Sequence, residues 1–266
     1  MKSDIYRRFA FIEARLLYGG GITAREFGDM FGLSRQAAQN IIARYAAHHP
    51  GNMVRDLSLR RQVAGEEFHP EYIRANVQYF LDHLRGQTLS GFFFQDVEWN
   101  EEIVVDDVTA GIRPKINIDA AHNLLLGLFN KYPLYAGYRS KKRYSERILS
   151  PHAMIFARNR YLVRCYCHLK EQYLDFSLSR FRHTEPATVE EWISGEDDKN
   201  WHTYTELSYV PNPKLPLRTQ LVVREDYMLD DQETLVIPCR VAMVYYIKKE
   251  MGSEMVMNLA KWICVK

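Results

Sequence analysis

The sequence predicts an α+β chain of several domains, and three observations carry that reading. Residues 1–70 repeat apolar positions at helical spacing three times and then change to a short basic hairpin. After Pro133 come short β-rich segments separated by polar turns, as in a small barrel. Residues 191–266 mix strand and helix signals, as in a small α/β module.

A length of 266 residues allows two or three compact units, each with its own core. Hydrophobic content of 47% beside 26% charged residues suits a globular chain. No apolar run approaches the roughly 18 residues that span a bilayer, so no membrane partner is expected. The opening MKSDIYRRFAFIEARLLY breaks its apolar positions with Arg7, Arg8, Glu13 and Arg15, as an amphipathic helix does and a signal peptide does not. Four cysteines without a secretory signal suggest the reducing cytoplasm. Cys165 and Cys167 lie two apart in an apolar run and read as buried free thiols, because a zinc site needs a second ligand pair.

The first helix is expected over Asp4–Tyr18, with Gly19, Gly20 and Gly21 ending it. Thr23 and Glu26 form a capping box for a short second helix that runs to about Phe31, with Phe27, Met30 and Phe31 inward. Gly32 supplies the bend and Leu33 plugs it. Ser34 caps a third helix to about His48, with Ala38, Ile41, Ile42 and Tyr45 as its buried stripe. Pro50-Gly51 stops that helix, and residues 52–70 read as a hairpin carrying Arg55, Arg60 and Arg61. Three helices and a basic hairpin make a winged helix-turn-helix. A further helix is expected from Pro70 to about Leu84, and residues 86–117 read as a connector with some strand around EEIVVDD. Asp119 is positioned to cap the next helix. Strands are then expected in 134–140, 147–157, 160–169 and 173–187, with further candidates at 217–224, 234–238 and 262–265 and a helix over 239–251.

Charge divides unevenly along the chain. Residues 1–70 hold ten Lys and Arg against seven Asp and Glu, and residues 95–112 hold six acids and no base. Residues 139–164 hold eight bases against the single acid Glu146, which marks a candidate anion site. In a helix-turn-helix the second helix presents its N-terminal residues to base edges in the major groove. Ser34, Arg35, Gln36, Gln39, Asn40 and Arg44 lie on or near its outward face. Arg pairs with guanine, Gln and Asn pair with adenine, and Ser or Arg anchors phosphates. Arg55, Arg60 and Arg61 of the wing reach flanking phosphates or a minor groove. One recognition helix per half-site demands a two-fold partner, so double-stranded operator DNA and a homodimer are the expected partners.

The stretch SPHAMIFARNRYLVRCYCHLKEQYLDFSLSRFRHTEPA resembles the WYL domain of bacterial transcription regulators. Arg160-Tyr161-Leu162 stands where that family has Trp-Tyr-Leu, and Phe176-Ser177-Leu178-Ser179-Arg180-Phe181 matches its later Phe-x-Leu-x-Arg-Ile strand. With the preceding helix and LYAGYRS the resemblance covers about residues 118–187. The whole layout is similar to compact repressors found beside phage-defence systems, the BREX regulator and CBASS-associated WYL proteins. The resemblance implies an Sm-like β-barrel that senses a nucleotide or nucleic-acid fragment, with Tyr161 and Arg180 as matching motif positions. Charge and alternation favour the same surface: Ser140, His152, Tyr161, Arg180 and Arg182 offer hydroxyls, an imidazole and guanidinium groups to an anionic ligand. Tyr161 also suits a core tyrosine, and Arg180 an ion pair with an acid such as Asp175. Tyr161, Val163 and Cys165 share one face of their strand, and either face can line the pocket.

The expected organisation is therefore a winged helix over 1–70, a connector over 71–117, a WYL sensing domain over 118–190 and a dimerising extension over 191–266. No phosphate-cradling glycine loop, nucleophile elbow or His-Glu-x-x-His helix is present, so no enzyme, cofactor, catalytic residue or metal site is expected. Binding of RNA or single-stranded DNA through the basic barrel, or service as accessory subunit of a defence enzyme, are the other readings the residues allow.

Overall fold

Helix α1 spans Lys2–Tyr18, α2 Ala24–Phe31 and α3 Arg35–His48 in the computed structural model, which describes residues 2–84, 112–188, 190–230 and 234–265. The chain forms two units, Met1–Ile155 with Arg160–Ile193, and Phe156–Asn159 with Ser194–Lys266. The caps read from the sequence are in place. The Thr23 hydroxyl accepts from the Glu26 amide at 3.2 Å, and Glu26 accepts from the Thr23 amide at 2.8 Å. Gly32 turns the chain with a left-handed φ of 63°, and the Ser34 hydroxyl accepts from the Ala37 amide. Phe9, Ile12, Ile22, Phe27, Ala38 and Tyr45 pack as one core beneath them. Met30 differs from expectation. It is 58% exposed, because Phe27 and half-buried Phe31 already fill the inward face of a helix only eight residues long.

Strands β1 (Met53–Asp56) and β2 (Arg61–Ala64) pair antiparallel as the wing. The backbone of Ile22 bonds Gln62 in both directions, so the wing is tied to the segment before α2. The next helix, α4, begins only at Val77 and runs to Leu84, later than the sequence suggested. The reason is Glu13 of α1, which is fully buried and accepts the amides of Glu71, Tyr72 and Ile73 at 2.8, 2.7 and 3.1 Å. Those donors serve the carboxylate and hold residues 71–73 against the core. The acidic stretch, the FFF cluster at 92–94 and the strand expected near 101–107 lie outside the described residues.

Helix α5 spans Ile118–Asn130 and is capped by Asn117, whose side chain accepts from the Ala120 amide; Asp119, the expected cap, sits in the first turn. Asn117 is suited to the place because its amide group also donates to the Arg182 carbonyl. Strands β3 (Leu134–Arg139), β4 (Tyr144–Ala157), β5 (Arg160–Cys167), β6 (Gln172–Ser177) and β7 (Phe181–Pro186) form one sheet in the order β6-β5-β4-β3-β7. The segment 173–187, read as one β-rich stretch, is two strands on opposite edges, joined by the 3-10 turn Leu178–Arg180. Four flat strand spacings cover roughly 19 Å, whereas the step from Ser177 to Phe181 spans at most about 14 Å. The sheet must therefore curl. Tyr138 of β3 confirms the curl, with its ring 5.0 Å from Phe176 of β6 and its hydroxyl accepting from the Ser177 amide. Cys165 and Cys167 are buried free thiols, as expected. Strand β5 buries both faces from Tyr161 to Cys165.

The second unit holds α6 (Lys199–His202), β8 (Tyr204–Pro211), α7 (Leu217–Glu225), β9 (Leu235–Arg240) and α8 (Val244–Met251). Short strands β10 (Met255–Val256), β11 (Leu259–Ala260) and β12 (Trp262–Cys264) complete it, with β12-β8-β9 as the main sheet. Residues 217–224, expected as a strand, are helical. Pro216 opens α7 at a helix-compatible φ of −51°, and of the β-branched pair only Val223 enters the core, while Val222 is 48% exposed. Strand β8 was not anticipated, while β9 and β12 agree with expectation. The helix expected over 239–251 begins only at Val244, because Cys239 and Arg240 complete β9 and Val241–Met243 is a 3-10 turn.

Candidate nucleic-acid interface and sensor

Arg35, Gln36, Gln39, Asn40 and Arg44 are all exposed on α3, opposite the buried Ala38, Ile42 and Tyr45. Gln36 donates to Asn40 at 3.2 Å one turn later, while Arg35, Gln39 and Arg44 have no side-chain partner. Ser34 is exposed, and its hydroxyl accepts the Ala37 amide at 3.2 Å as the cap of α3. Across a groove of about 700 Å³ stands the wing, and Arg25, Arg35, Gln39, Arg55 and Arg60 line the space between. Arg55 and Arg60 are exposed and unpaired. Asp29, 3.8 Å from Arg25, also lines the trough, so helix and hairpin together give it a mainly cationic rim.

Arg61 is different. Its guanidinium lies 2.9 Å from Glu26 and also donates to the Gly20 carbonyl, so it braces the wing against α2 instead of reaching outward. Arg15 meets the same Glu26 oxygen at 3.1 Å. Burial alone would raise the Glu26 carboxyl, but the Thr23 hydroxyl and amide and the two arginines outweigh it and hold it below the usual range. Glu13 shows the opposite balance. Burial pushes it up to about 7, against the pull of three amides and the Tyr45 hydroxyl, which donates at 3.3 Å. Glu13 therefore joins α1, α3 and the chain leading to α4. Periodicity marked it only as a polar residue inside an amphipathic helix.

The predicted ligand residues lie on separate elements of the five-stranded sheet. Tyr161 is 4% exposed, and its hydroxyl donates to Asp82 of α4. Arg113 meets the other oxygen of Asp82 at 2.6 Å. Tyr161 is thus the buried tyrosine the sequence also allowed, bound to an acid that sequence reasoning did not single out. Asp175 pairs with Arg164 at 2.7 Å and not with Arg180. Arg180 lies in the 3-10 turn, half-buried and without a partner, and Arg182 follows, exposed, on β7. Ser140 closes the β3–β4 turn by donating to the Arg143 carbonyl and accepting the Lys142 and Arg143 amides. His152 packs edge-on against Tyr173, 5.5 Å between centroids. Arg139, Lys141, Lys142 and Arg143 surround the Ser140 turn, all exposed.

Residues 4–86 match the family model of the BrxR transcriptional regulator winged helix-turn-helix domain, residues 121–186 that of the WYL domain, and residues 204–257 that of the BrxR transcriptional regulator C-terminal dimerization domain. The chain belongs to the WYL-domain transcriptional regulators of the BrxR type. This BrxR-type chain is homologous to the DNA-binding transcriptional repressor CapW. The protein of that name from Escherichia coli strain KTE188 is 25% identical over 245 residues, covering 91% of this chain and 80% of its own length. CapW of Stenotrophomonas maltophilia is 28% identical over 254 residues, covering 93% and 83%. Both are named as repressors, not as enzymes. Among solved structures, proteasome accessory factor B/C of Arthrobacter aurescens aligns at 13% identity with a TM-score of 0.30. That alignment takes in 99% of this chain but only 44% of the other, too slight a likeness to carry an argument. Among the described residues of this BrxR-type regulator, no helix is long and apolar enough to cross a membrane.

Proposed function

We propose that this chain is a cytoplasmic, homodimeric repressor that binds a palindromic operator through α3 and the wing, and that an anionic nucleotide or nucleic-acid fragment at the WYL barrel releases it. A phage-defence operon and its own promoter are the proposed targets. The observation that supports this best is the trough between α3 and the wing, edged by Arg35, Gln39, Arg55 and Arg60 without internal partners. In water an unpaired surface cation costs little, and on a duplex it displaces a condensed counterion. The division into a winged helix over 1–70, a connector over 71–117, a sensor over 118–190 and a dimerising extension over 191–266 is part of the same proposal. So is the Sm-like character of the curled sheet.

Dimerisation is assigned to the open face of the β12-β8-β9 sheet. Leu207, Tyr209, Cys239 and Trp262 point into the core of that unit, while Tyr204, Val236 and Ile263 on the opposite face are 63%, 46% and 37% exposed. Glu206, Ser208 and Arg240 share that face, and a mixed face of this kind is suited to a second copy of itself. Ligand binding is assigned to Arg180 and Arg182, which flank Phe181 where β7 pairs with Tyr138 near the cationic turn at Ser140, and to His152 further along β4. Tyr161 takes the part of a relay. Its bond to Asp82 ties the barrel to α4, and Phe80 of α4 stacks on Tyr18 of α1 at 4.4 Å. Release requires the ligand to favour one arrangement of that tie over another.

The test is duplex binding by fluorescence anisotropy on a promoter fragment located by footprinting. Arg35→Ala and Gln39→Ala are each expected to cost about 1–3 kcal/mol and to relax base preference at the contacted position. Unchanged affinity and preference in both variants, or tighter binding to single strand than to duplex, would refute the proposal.

A further inference from the structure

The wing ends in an apolar tip that the fold does not use. Asp56 builds the turn by itself: its carboxylate accepts the Ser58 amide at 2.8 Å, the Ser58 hydroxyl at 2.7 Å and the Leu59 amide at 2.9 Å. These bonds, the Leu59 amide foremost, hold the Asp56 carboxyl below its usual range. Arg60 closes the turn in the left-handed region at φ 54°. The loop is therefore shaped before any partner arrives. Between those turn-forming residues, Leu57 is 83% exposed and Leu59 50% exposed, and neither belongs to the winged-helix core. Turn tips in water are ordinarily filled by polar residues or glycine. Two leucines there, between the unpaired Arg55 and Arg60, make a surface that is cationic at its flanks and apolar at its point.

We propose that Leu57 enters the minor groove of bound duplex DNA as a wedge, assisted by Leu59, and partly unstacks one base step. This inference rests on the proposed DNA binding and deepens it. The trough between α3 and the wing takes one sugar-phosphate strand. With α3 in the major groove on one side of that strand, the hairpin tip meets the minor groove on the other. That groove has phosphate walls, which Arg55 and Arg60 face, and a floor of sugars and base edges only roughly 6 Å wide. A leucine forms no hydrogen bond there. It contributes by excluding water and by parting stacked bases, which bends the duplex towards the major groove. Pyrimidine–purine steps, the easiest to unstack, are the preferred sites.

The experiment uses the full chain and its footprinted promoter duplex, with end-attached energy-transfer dyes and 2-aminopurine at the step under the wing. Wild type is expected to raise 2-aminopurine fluorescence and shorten the end-to-end distance. Leu57→Ala with Leu59→Ala is expected to abolish both signals and weaken binding by about tenfold or less. The salt slope should not change, because no phosphate contact is removed. A thermal melt checks that this exposed double substitution leaves folding intact. The proposal is overturned if the variant bends and unstacks DNA like wild type, or if wild type binds the duplex without either signal. Loss of the dimer in light scattering would assign the tip to a protein contact and overturn it too. If wild type fails to bind the duplex at all, the proposed function itself falls, which is a distinct result.

Discussion

Arg35, Arg55 and Arg60 of the winged helix stand in solvent with no partner, whereas Arg164 of the WYL domain is 5% exposed against Asp175, and Arg113 is held by Asp82. The same side chain serves two purposes according to where it stands. In water a guanidinium needs no protein partner and stays available to a polyanion. Below the surface its desolvation must be matched by an acid, and the pair becomes part of the architecture. The eight bases between residues 139 and 164 divide by this rule. Arg164 is buried in an ion pair, and Arg147 donates to Ser145 and lies over the Phe176 ring. Arg139, Lys141, Lys142, Arg143 and Arg158 are exposed, and Arg160 is half-buried. These two regions of one chain thus differ less in composition than in how many charges are committed internally.

The buried side of this comparison is expected to give the largest effect. Asp82→Ala removes the acceptor shared by Tyr161 and Arg113 and should cost about 3–5 kcal/mol, read as a lower urea midpoint. A cost within experimental error would mean that the barrel is not tied to α4 through this acid. Glu13 gives the next effect, and its sign follows from linkage. The folded carboxyl titrates near 7, above its ordinary value of 4.5, so the native state binds more protons between those values. Stability from this group is present below about pH 4.5 and is lost as pH rises towards 7. Glu13→Gln should therefore flatten the pH dependence of unfolding across that window, by at most on the order of 3 kcal/mol. Parallel curves for the two proteins would show that Glu13 does not titrate there. The exposed side should give the smallest change. Arg55→Ala with Arg60→Ala should leave melting unaltered and reduce the salt slope of duplex binding by about 2, one per lost phosphate contact. Adding Arg61→Ala should instead lower the melting temperature, because that arginine is joined to Glu26.

Local chemistry was legible in the winged helix because it acts over three or four residues. Thr23 with Glu26, Gly32 and Ser34 each perform the backbone task their type suggests. The outward row of α3 was legible for the same reason, as the complement of the Ala38, Ile42 and Tyr45 stripe. Arg61 was not separable from Arg55 and Arg60, since its distinction is the carboxylate of Glu26, 35 positions earlier. In the barrel the strands were visible, but the break at Leu178–Arg180 was not, because it depends on how far the sheet curls. The helix over 217–225 went unseen for a related reason: β-branched residues favour a strand only where a pleated, half-buried surface receives them.

By itself the sequence determined the order of elements in the winged helix, its capped helices, the basic hairpin and the motif that marks the WYL domain, all properties of short windows governed by backbone sterics and hydrophobic period. Tertiary structure alone decided which charges are free. Glu13 on the amides of residues 71–73, Asp82 between Tyr161 and Arg113, and Arg164 on Asp175 join positions 11 to 79 residues apart. An ionised group taken out of water requires a partner, and only the folded chain establishes which one is within reach.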